Sequence, residues 1–288
     1  METPSWIQYT ESVVGENHPS LADVANRPAK TIHTNHLSLL LGLRIKHSIL
    51  KYVDDDEFKV SFPFTPPGES AWSDVTLKLA LVAGGGQLKA GDAVTAHEFY
   101  VVYIANTVTE QPIAGDFVIR EGQTTTESGY AKIGVIYNTQ VTNAVIRAFD
   151  MAEHNVYMWR DGKDLRPLDT GAQTSWTDVD LDPAVGSTRY APSTARQAIM
   201  FAVLVIRVTD YQYGIAWARK DGGAGNGRYV AFAQQNSNGD IARDANEFRI
   251  ELVNGVFEYK LSGDAATLLT VDIYCHGFVD SDSVSVSD

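Results

Sequence analysis

Alternating apolar and polar positions mark much of the chain after its first 57 residues. Near the C-terminal end, Phe248, Ile250 and Leu252 alternate with other, mostly charged residues, which is the period of two expected of a strand with one solvated face. Asn254-Gly255 follows, and Asn-Gly between two apolar runs is the strongest local signal of a β-hairpin. Similar runs cover 98–104, 132–137, 143–149, 156–159, 198–206, 211–218, 229–234, 256–261 and 268–274. Their spacing of roughly ten residues predicts a mainly β protein built from antiparallel β-sandwiches.

A short pattern, Trp-Ser/Thr-Asp-Val-x-Leu, occurs twice, at Trp72–Leu77 and at Trp176–Leu181. The two copies are roughly 100 residues apart, which is the size of one small β domain. The repeat predicts two tandem β-sandwich domains, at 58–165 and at 170–280. The polar stretch 281–288 is expected to be a flexible tail.

The first 57 residues follow a helical pattern instead. Asn26 is a favourable N-cap and Pro28 suits the first turn, so a helix is predicted from there to about Tyr52, where the acidic run 54–57 ends it. Apolar residues at weak heptad spacing are the candidate oligomer interface: Ile32, Leu39, Leu43 and Leu50. Two arrangements stay open, an amphipathic helix packed on a neighbouring domain or a short helix that bundles with copies of itself. Residues 1–57 are predicted to form an N-terminal attachment segment in either case.

Charge and composition narrow the classes of function. The chain has 288 residues and a net charge of −13, and such an acidic surface repels phosphate backbones, so nucleic-acid binding is not expected. Cys275 is the single cysteine, which excludes an intrachain disulfide and a zinc site with several thiolates. The longest apolar run, 198–206, falls short of the roughly 20 residues that span a bilayer. The sequence opens without a basic stretch followed by an apolar one, so we expect a protein made in a cytoplasm and not inserted into a membrane.

A glycine-rich run occupies 221–227. It lacks the Lys-Ser/Thr pair and the following helix of a phosphate-binding loop. It also lies between two strand candidates, which predicts an exposed hairpin loop. Because exposed loops often carry binding residues, this one is the candidate contact loop: Gly222, Gly223, Gly225, Asn226 and Gly227.

Two groups of residues are candidate metal ligands. Asp178, Asp180 and Asp182 would share one face of an extended segment, and clustered oxygens favour calcium. The glycine-containing loop of a calcium-binding hand is missing, however, and a solvated strand edge is the alternative. His33 and His36 have a spacing that suits two ligands, but no third ligand joins them at helical spacing. Neither a metal nor a cofactor is expected.

Motifs of catalysis are also missing from the sequence, which contains neither Gly-x-Ser-x-Gly nor His-Glu-x-x-His. Cys275 and His276 adjoin on a strand candidate and so point to opposite faces, which favours Cys275 as a buried apolar residue. Trp72 and Trp176 have the rings to stack on sugars, but their equivalent places in the two copies favour structural anchors. No catalytic residue and no enzymatic activity are predicted.

The N-terminal residues carry a resemblance to a known group of proteins. The run 11–19, then 26–30 and the Leu-rich helix, resembles the start of tail-fibre and baseplate-associated structural proteins of tailed bacteriophages. The second β unit is similar to a small virion β-sandwich module, through 176–181, 261–264 and 270–273. The resemblance implies a non-enzymatic, homotrimeric component with its N-terminus docked on the particle and its β domains outward. Repeats of a fibrous period are missing, which favours a short fibre or spike.

The expected function is therefore that of a virion structural protein, a fibre, spike or adaptor of a tailed phage. It would act by oligomeric assembly, a trimer being favoured, and by binding to the particle or the host surface. Its expected partners are other virion proteins, with a host-surface glycan or protein as a further candidate. Two alternatives stay open: a carbohydrate-binding or polysaccharide-degrading β-sandwich protein, and a capsid decoration protein.

Overall fold

The computed structural model describes residues 39–80, 85–123, 127–140, 144–184, 187–207, 213–225, 227–234, 241–263 and 268–281. The protein is mainly β, as predicted, with several antiparallel sheets. The strands are β1 (Ile49–Tyr52), β2 (Glu57–Ser61), β3 (Val75–Lys78), β4 (Glu98–Ala105), β5 (Phe117–Glu121), β6 (Tyr130–Asn138), β7 (Phe149–Glu153), β8 (Val156–Trp159), β9 (Leu168–Gly171), β10 (Thr177–Asp180), β11 (Ala195–Arg207), β12 (Tyr213–Lys220), β13 (Arg228–Gln234), β14 (Ile241–Glu251), β15 (Val256–Gly263) and β16 (Leu268–Asp280). Short 3-10 helices lie at Ala114–Asp116 and Gly162–Asp164, and residues 39–46 are α-helical. No helix in these ranges is long and apolar enough to cross a membrane.

The helix at 39–46 ends in a tight turn that leads directly into β1. Both the backbone nitrogen and the hydroxyl of Ser48 donate hydrogen bonds to the Ile45 carbonyl, at 3.0 and 2.7 Å, which satisfies one of the helix's last carbonyl groups. The prediction that the helix continues to Tyr52 is wrong. Instead β1 pairs with β2, with Leu50 opposite Val60, because pairing between strands outweighs a weak helical spacing.

The largest sheet has nine strands and takes in both predicted β units. Its order is β14-β11-β16-β8-β7-β1-β2-β3, and β9 also pairs with β16. Gly277–Val279 of β16 pair with β8, whereas Val271 and Ile273 pair with β9. The sheet therefore crosses the predicted boundary at 165–170 without a break, and one hydrophobic core contains residues from both sides of it.

The strands from β9 onward form two facing layers. Within the large sheet their order is β9-β16-β11-β14, and a separate four-stranded sheet has the order β10-β15-β12-β13. This is the strand order of a jelly roll, in which eight strands form two packed antiparallel sheets. Alternate side chains of both layers fill the space between them, among them Met200, Leu204, Phe257, Leu261 and Ile273. The other faces of the two layers point away from this core.

A three-stranded sheet, in the order β5-β4-β6, packs against the N-terminal strands of the large sheet. Gly134 allows this close approach, because a Cβ atom there would collide with the Tyr157 hydroxyl and the Leu50 side chain. The Tyr157 hydroxyl accepts a hydrogen bond from the Val135 backbone nitrogen at 2.9 Å. The Tyr157 ring stacks on Phe278, with 4.7 Å between ring centroids, so β6, β8 and β16 meet around one buried ring.

A buried ionic network joins the three-stranded sheet to the loop before β11. Arg189 Nη1 lies 2.7 Å from Glu98 Oε1, and Arg189 Nε lies 3.3 Å from Asp182 Oδ1. Arg147 Nη1 donates to the Arg189 carbonyl at 2.8 Å, and its guanidinium lies 4.5 Å from the Tyr137 ring centroid. Burial raises the pKa of the Glu98 and Asp182 carboxyls, although Arg189 acts in the opposite direction. The two predicted units are thus connected by buried ion pairs as well as by the shared sheet.

Candidate binding surface on the four-stranded sheet

Trp176 stands just before the edge strand β10, at one corner of the four-stranded sheet. The Arg219 guanidinium carbon lies 4.2 Å from the Trp176 ring centroid, and Lys260 Nζ lies 4.7 Å from it. The register explains the second contact, because Thr177 pairs with Tyr259 and so places Trp176 beside Lys260. Cations over an indole face are stabilised by its electron-rich π system, so this ring is held by two strands at once.

Arg219 connects the tryptophan to an acid and to the glycine-rich loop. Its Nε and Nη2 atoms bind the two carboxylate oxygens of Glu258 at 2.7 and 3.0 Å, a bidentate pairing that fixes the guanidinium plane. The pair raises the pKa of Arg219 and lowers that of Glu258, in both cases chiefly through this hydrogen bonding. Arg219 Nη1 also donates to the Gly225 carbonyl at 3.0 Å, so the same side chain positions the loop.

The glycine-rich loop joins β12 to β13, as predicted. Gly222, Gly225 and Gly227 adopt left-handed backbone conformations, with φ of 65°, 94° and 67°, which other residues reach only with strain. A Cβ atom on Gly227 would also collide with the Trp176 ring. Gly223 N donates to Lys220 O at 2.9 Å, and the loop therefore has a specific turn at this corner. Asn226, the remaining member of the candidate contact loop, lies outside the described residues.

Three carboxylates lie close together near this loop. Oxygen atoms of Asp178, Asp221 and Glu258 are all within 4.8 Å of one another, but Glu258 is already paired with Arg219. A cation bound there would have to compete with the guanidinium. The sequence instead grouped Asp178 with Asp180 and Asp182. In the structure Asp178 and Asp180 are both exposed, whereas Asp182 forms an ion pair with the buried Arg189.

Aromatic side chains occupy the outward face of β12 and β13. We refer to Tyr213, Trp217, Tyr229 and Phe232 as the aromatic face. Trp217 pairs with Tyr229 across the two strands, and Ile215 pairs with Phe232 two positions along. Tyr229 is 64% exposed, Phe232 44% and Tyr213 42%, and the Tyr213 and Phe232 rings lie nearly parallel with 6.1 Å between centroids. Large aromatic groups left in contact with water on a sheet mark a surface suited to binding.

Polar contacts hold the aromatic face in place. Trp217 Nε1 donates to Ser262 Oγ at 2.6 Å, which fixes the indole on the neighbouring strand β15. The Phe232 backbone nitrogen donates to Asp244 Oδ2 on β14 at 2.9 Å, so one donor on the edge of β13 is satisfied by the opposite layer. A bulge between Ala216 and Trp217 in the pairing of β12 with β13 shifts the alternation of inward and outward side chains along β13. That shift explains why a strict period of two did not reveal this surface in the sequence.

The first copy of the repeated pattern repeats the arginine contact. The Arg44 guanidinium carbon lies 4.2 Å from the Trp72 ring centroid, and Phe62 meets the ring edge-on at 5.2 Å. In both copies the Val and Leu that follow the tryptophan are buried, and both strands, β3 and β10, lie at the edge of a sheet. An arginine covers one face of each indole, which supports the anchor interpretation over an open sugar platform at Trp72 and Trp176.

The predicted oligomer interface is only partly available on the surface of the chain. Leu39 is 63% exposed and Leu43 is partly buried on the helix, so both can face a second copy. Leu50 is fully buried in β1, where it packs in the core of its own chain, and its assignment to the interface was wrong. The assignment failed because it depended on a helix that ends before β1. Ile32 lies outside the described residues.

Cys275 is fully buried on β16, as its sequence context indicated. Burial raises the pKa of its thiol to about 12, so the thiolate needed for nucleophilic chemistry is scarce near neutral pH. His276, the next residue, faces the other side of the strand and stacks on Phe201 with 5.4 Å between ring centroids. The two side chains therefore do not form a catalytic pair.

In sequence comparisons, no protein-family model and no curated protein matches this chain. The features that bear on function are therefore those of the molecule itself: a jelly-roll strand order, an exposed aromatic face and an adjoining loop fixed by Trp176 and Arg219.

Proposed function

We propose that this chain is a structural and binding protein of a tailed-phage virion, a short fibre, spike or adaptor. It assembles as a symmetric oligomer, with a trimer favoured, and uses the aromatic face to contact the host surface or another part of the particle. The observation that carries the proposal is the aromatic face itself: Tyr213, Tyr229 and Phe232 are all more than 40% exposed on one face of the four-stranded sheet. The work of such a protein is binding and assembly without turnover.

The physical argument concerns the cost of exposed apolar surface. Burial of apolar surface stabilises a protein or a complex by roughly 25 cal/mol per Å². An aromatic ring left exposed does not contribute this free energy until a partner covers it. A cluster of such rings on a soluble protein is typical of a surface that a partner covers. Tyr, Trp and Phe are also enriched among the residues that dominate binding energy. Ser262 holds the Trp217 indole and Asp244 holds the Phe232 backbone nitrogen, so less freedom is lost at these two residues when a partner binds.

The architecture supports the same proposal by analogy. Jelly rolls recur in viral capsid proteins and lectins, although fold alone does not establish function. We propose that the chain consists of two sandwiches that share the large sheet, the first completed by the three-stranded sheet and the second by the four-stranded one. In this proposal the N-terminus docks on the particle, which the resemblance of 11–19 and 26–30 to phage attachment segments supports. Leu39 and Leu43 are the candidate contacts between copies.

A specific observation also favours a second function, carbohydrate binding without a role in a virion. The neighbouring and nearly parallel Tyr213 and Phe232 rings are both exposed, and aromatic rings of this kind can stack on a sugar ring. Lys260 and Ser262 lie on the same outward face of the neighbouring strand and provide hydrogen-bonding groups. The difference from the first proposal is that a carbohydrate-binding module needs no oligomer.

Removal of the aromatic face tests the proposed contact. The double variant Y229S/F232S keeps the strands but removes two exposed aromatic rings. The matched control is I113S, which removes an aliphatic side chain that is 67% exposed and lies outside the aromatic face. We expect the wild type and I113S to bind equally to preparations of bacterial cell envelope or to purified particles, and the double variant to lose at least about tenfold in affinity. Equal binding by the double variant and the wild type would remove the aromatic face from the function.

A further inference from the structure

Lys132 and Asp280 form a buried pair where the three-stranded sheet meets the last strand of the chain. Lys132 lies on β6 and Asp280 is the final residue of β16. The Lys132 side chain is 10% exposed and that of Asp280 is completely buried. Tyr103 is opposite Lys132 on β4, and Ala195 is opposite Asp280 on β11, so the pair connects the three-stranded sheet to the large sheet.

The contact between the two side chains departs from ordinary ion-pair geometry. Lys132 Nζ lies 2.5 Å from Asp280 Oδ2, yet Oδ2 accepts no hydrogen bond within the described part of the chain. The nitrogen and this oxygen are therefore in close contact without the angles of an ordinary hydrogen bond. An Nζ atom this close to Oδ2 is also near the carboxyl carbon bonded to that oxygen, which is the atom that an attacking amine must approach to within about 3–3.5 Å.

The other carboxyl oxygen has two hydrogen-bond donors. The Ser281 backbone nitrogen donates to Asp280 Oδ1 at 2.9 Å, and Thr194 Oγ1 donates to it at 3.0 Å. When a nucleophile adds to the carboxyl carbon, negative charge develops on this oxygen. Fixed donors at that position stabilise the charge as an oxyanion hole does. One oxygen is thus prepared to carry charge, and the other, which faces the amine, is placed to leave.

We propose that Lys132 and Asp280 condense to form an intramolecular isopeptide bond. The reaction begins when a proton moves from the Lys132 ammonium to Oδ2 of the Asp280 carboxylate. The neutral amine then adds to the Asp280 carboxyl carbon, and Oδ1 takes the negative charge. A second proton passes from the nitrogen to Oδ2, the carbon–oxygen bond breaks, one water leaves, and Oδ1 returns to a carbonyl. The product is an amide between Nζ and the carboxyl carbon, formed without an oxidant or a co-reactant.

The bond would supply a covalent connection that the chain otherwise lacks. Its single cysteine cannot form a disulfide within the chain. Lys132 and Asp280 are separated by most of the second half of the sequence, so the bond would close a long loop and restrict the unfolded chain strongly. It would also tie the three-stranded sheet to the last strand, β16, in addition to the Arg189 network, which joins that sheet to the loop before β11.

Intact-mass spectrometry of the denatured full-length protein tests the proposal directly and requires no variant. The linked chain is lighter than its sequence mass by one water, about 18 Da, and digestion yields one branched peptide that contains both Lys132 and Asp280. The variant K132R keeps the positive charge but cannot form this amide, and we expect it to show the full sequence mass. The matched control is K89R, which alters a second close pair with Glu127. Glu127 accepts a hydrogen bond from Lys89, so the mass deficit should persist in this control.

Two results would overturn the proposal. One is a wild-type protein at full sequence mass, with Lys132 and Asp280 recovered in separate peptides after prolonged incubation of the folded chain. The other is a deficit of one water that remains in K132R, which would assign the loss to a different site. The measurement does not depend on the proposed phage function, because it is independent of oligomeric state and of any partner.

Discussion

At Trp176, contacts from three parts of the sequence converge on one side chain. Arg219 covers one face of the indole, Lys260 approaches it from the neighbouring strand, and Gly227 passes so close that a Cβ atom would not fit. Glu258 in turn holds Arg219 by two hydrogen bonds. The role of Trp176 is therefore to fix the corner of the four-stranded sheet and the loop beside the aromatic face.

Replacement of this tryptophan should weaken the fold measurably. We expect W176A to lower the free energy of unfolding by about 2 kcal/mol, because ring packing and the cation–π contact are lost together. W176F retains an aromatic surface under Arg219 and should lose less than half as much. Urea denaturation of the three proteins provides the comparison, and W176A with unchanged stability would contradict the anchor role.

Glu98 gives a pH dependence whose sign follows from its burial. Its folded-state pKa is raised, chiefly by burial and against the pull of Arg189. Its contribution to stability is therefore fully present below the ordinary carboxyl range of about 4, and it is lost as the pH rises through the folded pKa. The uncharged isostere E98Q should gain stability relative to the wild type as the pH is raised from 4 to 8. Urea denaturation across that range measures the free energy of unfolding of both proteins, and a value for E98Q minus wild type that stays constant or falls as the pH rises would contradict this assignment.

Among the elements, some strands were readable from the sequence and others were not. The hairpin at Asn254-Gly255 lies as predicted between β14 and β15, because turn chemistry is local. The end of the N-terminal helix was not readable, because Leu50 and Val60 pair across strands and sequence periodicity carries no information about such partners. The aromatic face was missed for a related reason. A bulge near Trp217 and the meeting of β13 with Asp244 depend on tertiary structure.

Alanine substitutions at two glycines should change the stability of the fold in opposite directions. Gly42 lies inside the helix at 39–46 with no atom close to the position of its missing Cβ, so G42A should raise the free energy of unfolding by up to about 1 kcal/mol. Gly277 on β16 faces the Tyr157 carbonyl oxygen so closely that a Cβ atom would require the backbone to move. G277A should therefore lower the free energy of unfolding by about 3 kcal/mol. Thermal or urea denaturation distinguishes the two, and equal effects would contradict the packing described for β8 and β16.

On the scale of the whole molecule, the chain is more integrated than its repeated sequence pattern indicates. The two copies of the Trp-Ser/Thr-Asp-Val-x-Leu pattern do form similar edge strands, each with an arginine over its tryptophan. A period in the sequence reveals such local similarity, but it does not reveal that one sheet continues between the copies. Nor does it reveal that Arg189 and Glu98, which are far apart in the chain, form a buried joint. Patterns in a single sequence do not predict contacts between residues that lie so far apart in the chain.

Assembly is the property of the whole molecule on which the proposed function depends. Deletion of the N-terminal 57 residues is unsuitable as a test, because it would remove β1 together with the buried Leu41 and Ile45. The substitution L39Q changes only an exposed side chain of the helix. I113Q, at another strongly exposed apolar residue, is the matched control.

Sedimentation equilibrium of the full-length chain tests the central claim most directly. We predict that the wild type and I113Q have a mass about three times the 31.5 kDa of one chain, and that L39Q shifts the equilibrium towards single chains because apolar burial between copies is reduced. A wild-type mass of 31.5 kDa at every concentration would contradict the claim that this protein acts by assembly.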